Sequence, residues 1–439
     1  MVGRTFRFSE HQFRSYDDLG LTSQDPVLEV IETINRAAGC EIFRLERKGL
    51  RAQDRVGLVR AGLMTFEILP KIDRQDGEPG RNVSAERNLL AMLSYAYAFP
   101  IQLEAEADLT AEPGGWFELL TRLFANHLHS QLLAGMAHHY VGLEDSLPVL
   151  RGRLDLARQM RQPVHNRHHF EVSYEELTAD TPLNQVFRWV VEELANLSVD
   201  RANLLLLAGL RDWLQPVTFL PVISPVLLER ITFDRNTERF HPAFTLAQLF
   251  LEGNILRLRS GDLPAYAFVF EMDRLFERFA AGFLKRHYKR ILPPLWQDVQ
   301  ILTQSAGRQV FLAQCEGRGV LRLIPDLFLR SREGGRALLI ADTKYRFLEG
   351  VRQDEMARED VYQMLAYLVR LGCRRGLLLY PQPEGREPVR RKWSIDTPGL
   401  EIFSCTLSLH TRLDQPDALI AEFAEIAAMA TGETLNPSL

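Results

Sequence analysis

Residues 324–346, IPDLFLRSREGGRALLIADTKYR, hold two apolar runs on either side of a short Arg/Glu/Gly turn. Runs of this kind bounded by turn residues read as a β-hairpin. Asp326 opens the first run, Asp342 stands near the end of the second, and Lys344 follows two residues later. A strand that is merely buried has no use for these charges. Symmetry about Gly334 opposes positions 326 and 342, since each lies eight residues from it. A regular hairpin would then bring their Cβ atoms to roughly 4.5–5.5 Å, with Lys344 projecting from the same face as Asp342. Two like charges opposed in a half-buried sheet are unfavourable unless a cation lies between them. An oxygen-ligated Mg²⁺ meets that need, because it is held by one or two carboxylates together with water and substrate phosphate. The backbone carbonyl of Thr343 is a further candidate ligand. Lys344 is placed to orient or help deprotonate an attacking water and to offset charge developing on a phosphorane. Such an assembly is a phosphodiester hydrolase site. The plain alternative is a pair of solvated strand ends, and the matching register within apolar strands weighs against it.

The surrounding sequence alternates helix and strand. EMDRLFERFAAGFLKRHYKR (271–290) carries a helical stripe of Met272, Phe276, Phe279 and Phe283. A loop with Pro293-Pro294 follows, then strands at VQILTQ and RQVFLAQC. Beyond the hairpin come a helix, DEMAREDVYQMLAYLVRLG, and a buried strand, GLLLYP (376–381). Helix, β-meander, helix and strand make a compact α/β unit, with its boundary placed near residue 260. In the later helix Val361, Leu365 and Leu368 form the apolar stripe, with Met364 beside it. Gln363 and Tyr367 are placed on the opposite side, with Asp360 close, where they can hydrogen-bond the site or a DNA backbone. An ordinary solvated face is the competing reading.

A chain of 439 residues implies two or three domains. Residues 1–80 read as β-rich, with VGLVRAGLMTFEILPKI (56–72) forming two strands joined at Arg60–Gly62. DRQDGEPGRN (73–82) is a loop by composition. Residues 84–260 read as mainly helical. NLLAMLSYAYAF is one helix, and GWFELLTRLFANHLHSQLLAG is another, with Phe117, Leu120, Phe124 and Leu128 on one face. LPVLRGRLDLARQM (147–160) turns back to extended structure. In TPLNQVFRWVVEELANL (181–197), Thr181 suits the N-cap and Pro182 the first helical position.

Composition excludes several classes. With 46% hydrophobic and 25% charged residues the chain is a folded soluble protein. Its N-terminus has no apolar signal segment, and no apolar run approaches the roughly 18–20 residues that cross a bilayer. Four widely spaced cysteines with no CxxC pair give neither a zinc site nor a disulfide framework, and fit a reducing cytoplasm. A net charge of −5 excludes DNA binding by bulk electrostatics, although KRHYKR (285–290) and REPVRRK (386–392) are local basic clusters. HNRHH (165–169) has no carboxylate or cysteine at ligand spacing and reads as an exposed loop. His127, His129, His138 and His139 read as packing or surface residues. There is no GxSxG, no HExxH and no GxxxxGK[ST] phosphate loop.

Pro325-Asp326, Asp342-Thr343-Lys344 and Gln363-x-x-x-Tyr367 together resemble the PD-(D/E)xK nuclease superfamily, with the Gln/Tyr extension of its RecB-like members. More narrowly, IADTKYR followed by EDVYQMLAYL resembles the McrC family, the nuclease subunits of McrBC modification-dependent restriction systems. EILPKI (67–72), LRGRLDL (150–156) and LFERF (275–279) also look like landmarks of that family. The resemblance implies an α/β and α+β multidomain protein. Residues 1–260 would be a partner-binding region, β-rich and then helical, and residues 261–439 a restriction-endonuclease-like α/β domain. It implies catalytic roles for Asp326, Asp342, Lys344, Gln363 and Tyr367, with Mg²⁺ on Asp326, Asp342 and Thr343. Glu277 matches the acid that assists the metal from the preceding helix. It further implies a McrB-like hexameric AAA+ GTPase as partner, binding the GTP and receiving the N-terminal region in its channel. Double-stranded DNA carrying modified cytosine would be the substrate. The missing phosphate loop and the acidic balance agree with that dependence. Two other classes stay open: a stand-alone RecB-like nuclease, and a non-catalytic activator of an AAA+ ring.

Overall fold

The hairpin takes the register read from its symmetry: Leu327 partners Ala341, Phe328 partners Ile340 and Leu329 partners Leu339. A bulge after Leu329 then sets Arg330 against Ala337 near the turn. These pairings belong to a computed structural model that describes residues 4–71, 83–99, 115–163, 168–253, 256–260, 263–303, 310–348, 353–382, 384–395 and 399–432. The loop expected at 73–82 and most of HNRHH lie outside the described residues.

The hairpin strands, Leu327–Ser331 and Ala337–Thr343, form part of a six-stranded sheet. Its order is Val299–Thr303, Leu327–Ser331, Ala337–Thr343, Arg375–Gln382, Glu401–Ser408 and Arg390–Ser394. Ala337–Thr343 pairs parallel with Arg375–Gln382, which demands a crossover, and the helix Gln353–Leu371 supplies it. Met364, Tyr367 and Leu368 of that helix are buried with Ile340, Leu378, Tyr380 and Ile402.

A five-stranded sheet is built from Arg4–Ser9, Met64–Leu69, Arg55–Ala61, Leu263–Glu271 and Leu256–Ser260, in that order. The two strands expected around Arg60–Gly62 are present as an antiparallel pair. Two expectations are corrected here. The β-rich N-terminal region contains a 13-residue helix, Pro26–Ala38, whose Val30, Ile31 and Ile34 are buried against the sheet. Its signals were local: Asp25 caps it by accepting from Val27 N–H, and Pro26 occupies the first helical position. Residues 256–271 are not the start of a separate C-terminal unit, because Leu263–Glu271 pairs with Arg55–Ala61 over seven positions. The chain accordingly folds as two compact units, 1–117 with 252–439, and 118–251.

Within the first unit, the helix Met272–Ile291 crosses Val83–Ala96 so closely that a Cβ at Gly282 would lie 2.0 Å from the Tyr95 carbonyl oxygen. Only glycine permits that contact. The second unit contains the helices Pro182–Leu197 and Arg201–Trp213 and most of His241–Glu252 and Gly115–Leu133. Thr181 caps the first of these, accepting from Asn184 N–H. The expectation of a mainly helical segment misses a long antiparallel ribbon, His139–Leu147 with Phe170–Thr178, paired at nine positions. LRGRLDL gives that ribbon its short edge strand, Arg153–Leu154, and Asp155 then caps the helix Leu156–Arg161. The whole is a mixed α+β protein of several sheets. Among the described residues no helix is long and apolar enough to cross a membrane.

Candidate active site

Asp342 is the penultimate residue of a strand buried from Leu339 onward, and its own side chain is only 4% exposed. Asp326 immediately precedes the neighbouring strand, one step beyond the Leu327–Ala341 pair. At that level side-chain bonds take over from the ladder. Asp326 Oδ2 accepts from the Thr343 N–H and from Thr343 Oγ1, both at 2.7 Å. The Thr343 hydroxyl, which the sequence reading passed over, thus holds Asp326 against the end of the Asp342 strand.

Lys344 Nζ lies 2.7 Å from Asp342 Oδ2 as an ion pair. The approach lacks hydrogen-bond alignment, so this buried oxygen has no aligned donor. Burial and the charge of Asp326 push Asp342 up to about 7, against the pull of Lys344. Burial also raises Asp326, although the Thr343 bonds and Lys344 oppose it. For Lys344 burial disfavours the charge, but Asp342, Asp360 and Asp326 outweigh it and raise the pKa. The ammonium form is therefore favoured, which suits charge neutralisation better than proton abstraction.

These shifts set a pH dependence. A folded-state pKa above the ordinary value means that the native chain holds its proton more tightly than the unfolded chain. Stability is then greatest in acid and is lost as pH rises through the folded pKa. Asp342 and the buried Glu10, each raised to about 7, act in the same direction. In EDTA the melting temperature is expected to fall between about pH 5 and about pH 8. A flat or rising thermal-unfolding profile over that range would contradict these assignments.

Tyr367 is not on a solvated face. It is 3% exposed and lies in the core with Met364 and Leu368. Its hydroxyl accepts from Gln363 Nε2 at 2.7 Å and donates to the Ile324 carbonyl at 3.2 Å. It therefore supports the Ile324-Pro325-Asp326 backbone, while Gln363 stays exposed beyond it. The apolar-stripe count misplaced the pair because Tyr367 and Leu368 share one buried edge, with Val361 and Leu365 only half-buried. Glu277 is half-buried and lines a recess of about 250 Å³ with Tyr95, Arg278, Lys285 and Thr303. One turn earlier on the same helix, Asp273 faces the Lys344 charge and accepts from the backbone of Tyr345.

Two supports have no role assigned to them in the sequence reading. Buried Asp360 accepts from Tyr380 Oη at 2.6 Å and pairs with Arg346, two residues past Lys344. Tyr345 Oη donates at 2.7 Å to Glu10 Oε2, 335 residues away, and Glu10 also accepts from Lys71 N–H at 3.0 Å. Asp360 had a signal in its helix beside Gln363, whereas Glu10 had none.

Two acids, one with an oxygen lacking an aligned donor, and the Thr343 backbone fit a hard divalent cation that keeps most of its ligands as water or phosphate. Among the described residues no group of three or more His, Cys, Asp or Glu forms a denser metal cluster. The chain is similar in structure to one from a refined half-complex of a tetradecameric assembly of Thermococcus gammatolerans McrB AAA+ hexamers with bound McrC. That match has a TM-score of 0.63 and 20% identity, covering 96% of this chain and 99% of the other. It is also similar to a chain of the cryo-EM structure of the T. gammatolerans McrBC complex. There the TM-score is 0.50 and the identity 23%, covering 65% of this chain and 88% of the other. Comparison with curated proteins gives no match. Residues 50–381, well over half of the sequence, match the family described as McrBC 5-methylcytosine restriction system component. The chain belongs to that McrBC family.

Proposed function

We propose that this chain is the nuclease subunit of a McrBC-type restriction complex, hydrolysing phosphodiester bonds in double-stranded DNA that carries modified cytosine. The observation carrying this reading is the convergence of a half-buried carboxylate, Asp326, with a buried one, Asp342, and Lys344 Nζ 2.7 Å from the second. On this reading the six-stranded sheet and the helices packed on it supply a PD-(D/E)xK nuclease core, and the rest of the chain engages a McrB-like AAA+ GTPase hexamer. GTP is bound by that partner, since this chain has no phosphate loop. The cytoplasm is the compartment in which such a complex meets DNA.

Asp326, Asp342 and the Thr343 carbonyl would hold Mg²⁺, which when bound supplies Lewis-acid polarisation and an activated water. The chain's own residues do the rest. Lys344 presents its ammonium beside Asp342, where it offsets charge on the phosphate in the transition state. Thr343 fixes Asp326 through two hydrogen bonds, and Tyr367 holds the backbone ahead of it. Arg346 with Asp360, and Tyr345 with Glu10, fix the segment that follows Lys344. On this reading Glu277 and Gln363 would act as assisting groups.

The test combines the chain with a McrB-like partner, GTP, Mg²⁺ and a plasmid carrying methylated cytosine. Double-strand cleavage is expected only when all are present. Cleavage by the chain and Mg²⁺ alone would replace this reading with a stand-alone nuclease.

A further inference from the structure

Between Thr303 and Asp326 the chain forms a second hairpin, Val310–Cys315 with Arg318–Leu323, that joins neither large sheet. Thr303 pairs with Leu327, and Leu323 lies three residues before Asp326, so this ribbon leaves the fold at the Asp326 end of the sheet. Its base is anchored. Leu323 is buried in the core cluster, and Arg370 Nε donates to the Phe311 carbonyl at 2.8 Å. Beyond the base it is bare, and every residue from Leu312 to Gly319 is exposed. Two strands exposed on both faces bury too little surface to support themselves in water, so the ribbon is suited to a partner.

Its surface chemistry points to one kind of partner. Among the described residues neither Arg318 nor Arg322 forms an ion pair with a carboxylate, and Glu316 at the turn is the ribbon's sole acid. Lys285 stands at the same end of the sheet and donates to Thr303 Oγ1 at 3.3 Å, also without a carboxylate among those residues. The pairing skips the step between Leu312 and Leu321, and both leucines are exposed, by 40% and 65%. Leu321 has φ +56°, a conformation that residues with a side chain rarely adopt and that persists at ligand clamps. Gly319 lets the Phe311 ring lie on the ribbon's own backbone, where a Cβ would meet the ring at 2.5 Å. The aromatic thus packs on the ribbon itself, while Leu312, Arg318, Leu321 and Arg322 are all exposed. In a chain of net charge −5, unpaired cations at one sheet end are a local anion surface rather than part of a general one.

We propose that this ribbon is a DNA clamp, lying in a groove of the duplex beside the scissile phosphate. Arg318, Arg322 and Lys285 contact phosphates, and Leu312 and Leu321 contact sugars or base edges. A two-stranded ribbon has the width of the major groove, and a duplex whose backbone reaches Asp326 must pass the point where the ribbon emerges. The clamp rests on the nuclease reading for its purpose, but its binding can be measured without cleavage.

The experiment measures anisotropy of a labelled duplex with the full chain in Ca²⁺, comparing wild type with Arg318→Ala/Arg322→Ala and with Leu321→Gly. The double variant is expected to bind about tenfold more weakly. The slope of log affinity against log salt should shrink by about two, at roughly 0.9 per lost phosphate contact. Leu321→Gly should weaken binding with the slope unchanged. Melting temperature and stimulation of the partner's GTPase should match wild type in both. Unchanged affinity and slope would overturn the clamp, as would a wild type that fails to bind at low salt. A loss confined to GTPase stimulation would also overturn it, marking the ribbon as a protein contact. A chain that binds through the ribbon yet never cuts with its partner contradicts the nuclease reading alone. One that cuts, with ribbon variants binding as wild type, contradicts the clamp alone.

Discussion

Lys344→Ala is expected to reduce DNA cleavage by the assembled complex by roughly 10³-fold, the scale on which a preorganised charge at a reacting group acts. Two separate effects combine in this variant. It removes the cation that would face the developing charge on the phosphate. It also removes the charge opposing the repulsion between Asp326 and Asp342, so Asp342 holds its proton to still higher pH. The acid limb of the pH–rate profile should therefore move upward as the rate falls, a signature that simple loss of stability would not give. Lys344→Arg is expected to recover little, because a planar guanidinium fork does not place a point charge in the space of an ammonium. Single-turnover plasmid cleavage across pH measures both. A rate within about threefold of wild type would remove Lys344 from the chemistry, being far below the effect such a charge normally has.

Asp342→Asn is expected to have effects of opposite sign on activity and stability. Cleavage should fall by roughly 10³-fold or more as the buried carboxylate is lost. In metal-free buffer above about pH 7 the folded state should gain about 1 kcal/mol or more, because a buried charge facing Asp326 is replaced by a neutral amide. Lys344 is not stranded, since Asp326 and Asp360 also act on its charge. The gain should vanish in acid, where Asp342 is already protonated. Thermal unfolding of the two proteins at both pH values, beside the cleavage assay, reads each sign separately.

The parts of this site legible in the sequence were those encoded locally. A hairpin centred on Gly334 carries its own register, so the level of Asp326 and Asp342 followed from counting, and the observed Leu327–Ala341 pair agrees. Thr181 and Pro182 announced their helix in the same local way. What stayed hidden depends on contacts between distant segments. Nothing near Glu10 announces Tyr345, because the bond between them exists only once the two sheets pack. The return of Leu263–Glu271 to the N-terminal sheet is likewise a pairing across two hundred residues of chain, and local periodicity cannot show it. Tyr367 was misplaced for a subtler reason. The stripe of Val361, Leu365 and Leu368 set it on the opposite face, yet its hydrogen bonds to Gln363 and Ile324 let the ring be buried beside Leu368. The ribbon at 310–323 was read only in part, its first strand being expected at RQVFLAQC, while its second carries a glycine and two arginines that mask the strand pattern.

The central claim is that Asp326 and Asp342 together hold a divalent cation in this chain. Calorimetric titration of the metal-free protein with Mg²⁺ tests it most directly, comparing wild type with Asp342→Asn at several pH values. The wild type should bind Mg²⁺, with affinity falling as pH drops below about 7 and protons compete for Asp342, and the variant should not bind. Equal binding by the two proteins, or binding insensitive to pH, would contradict the account.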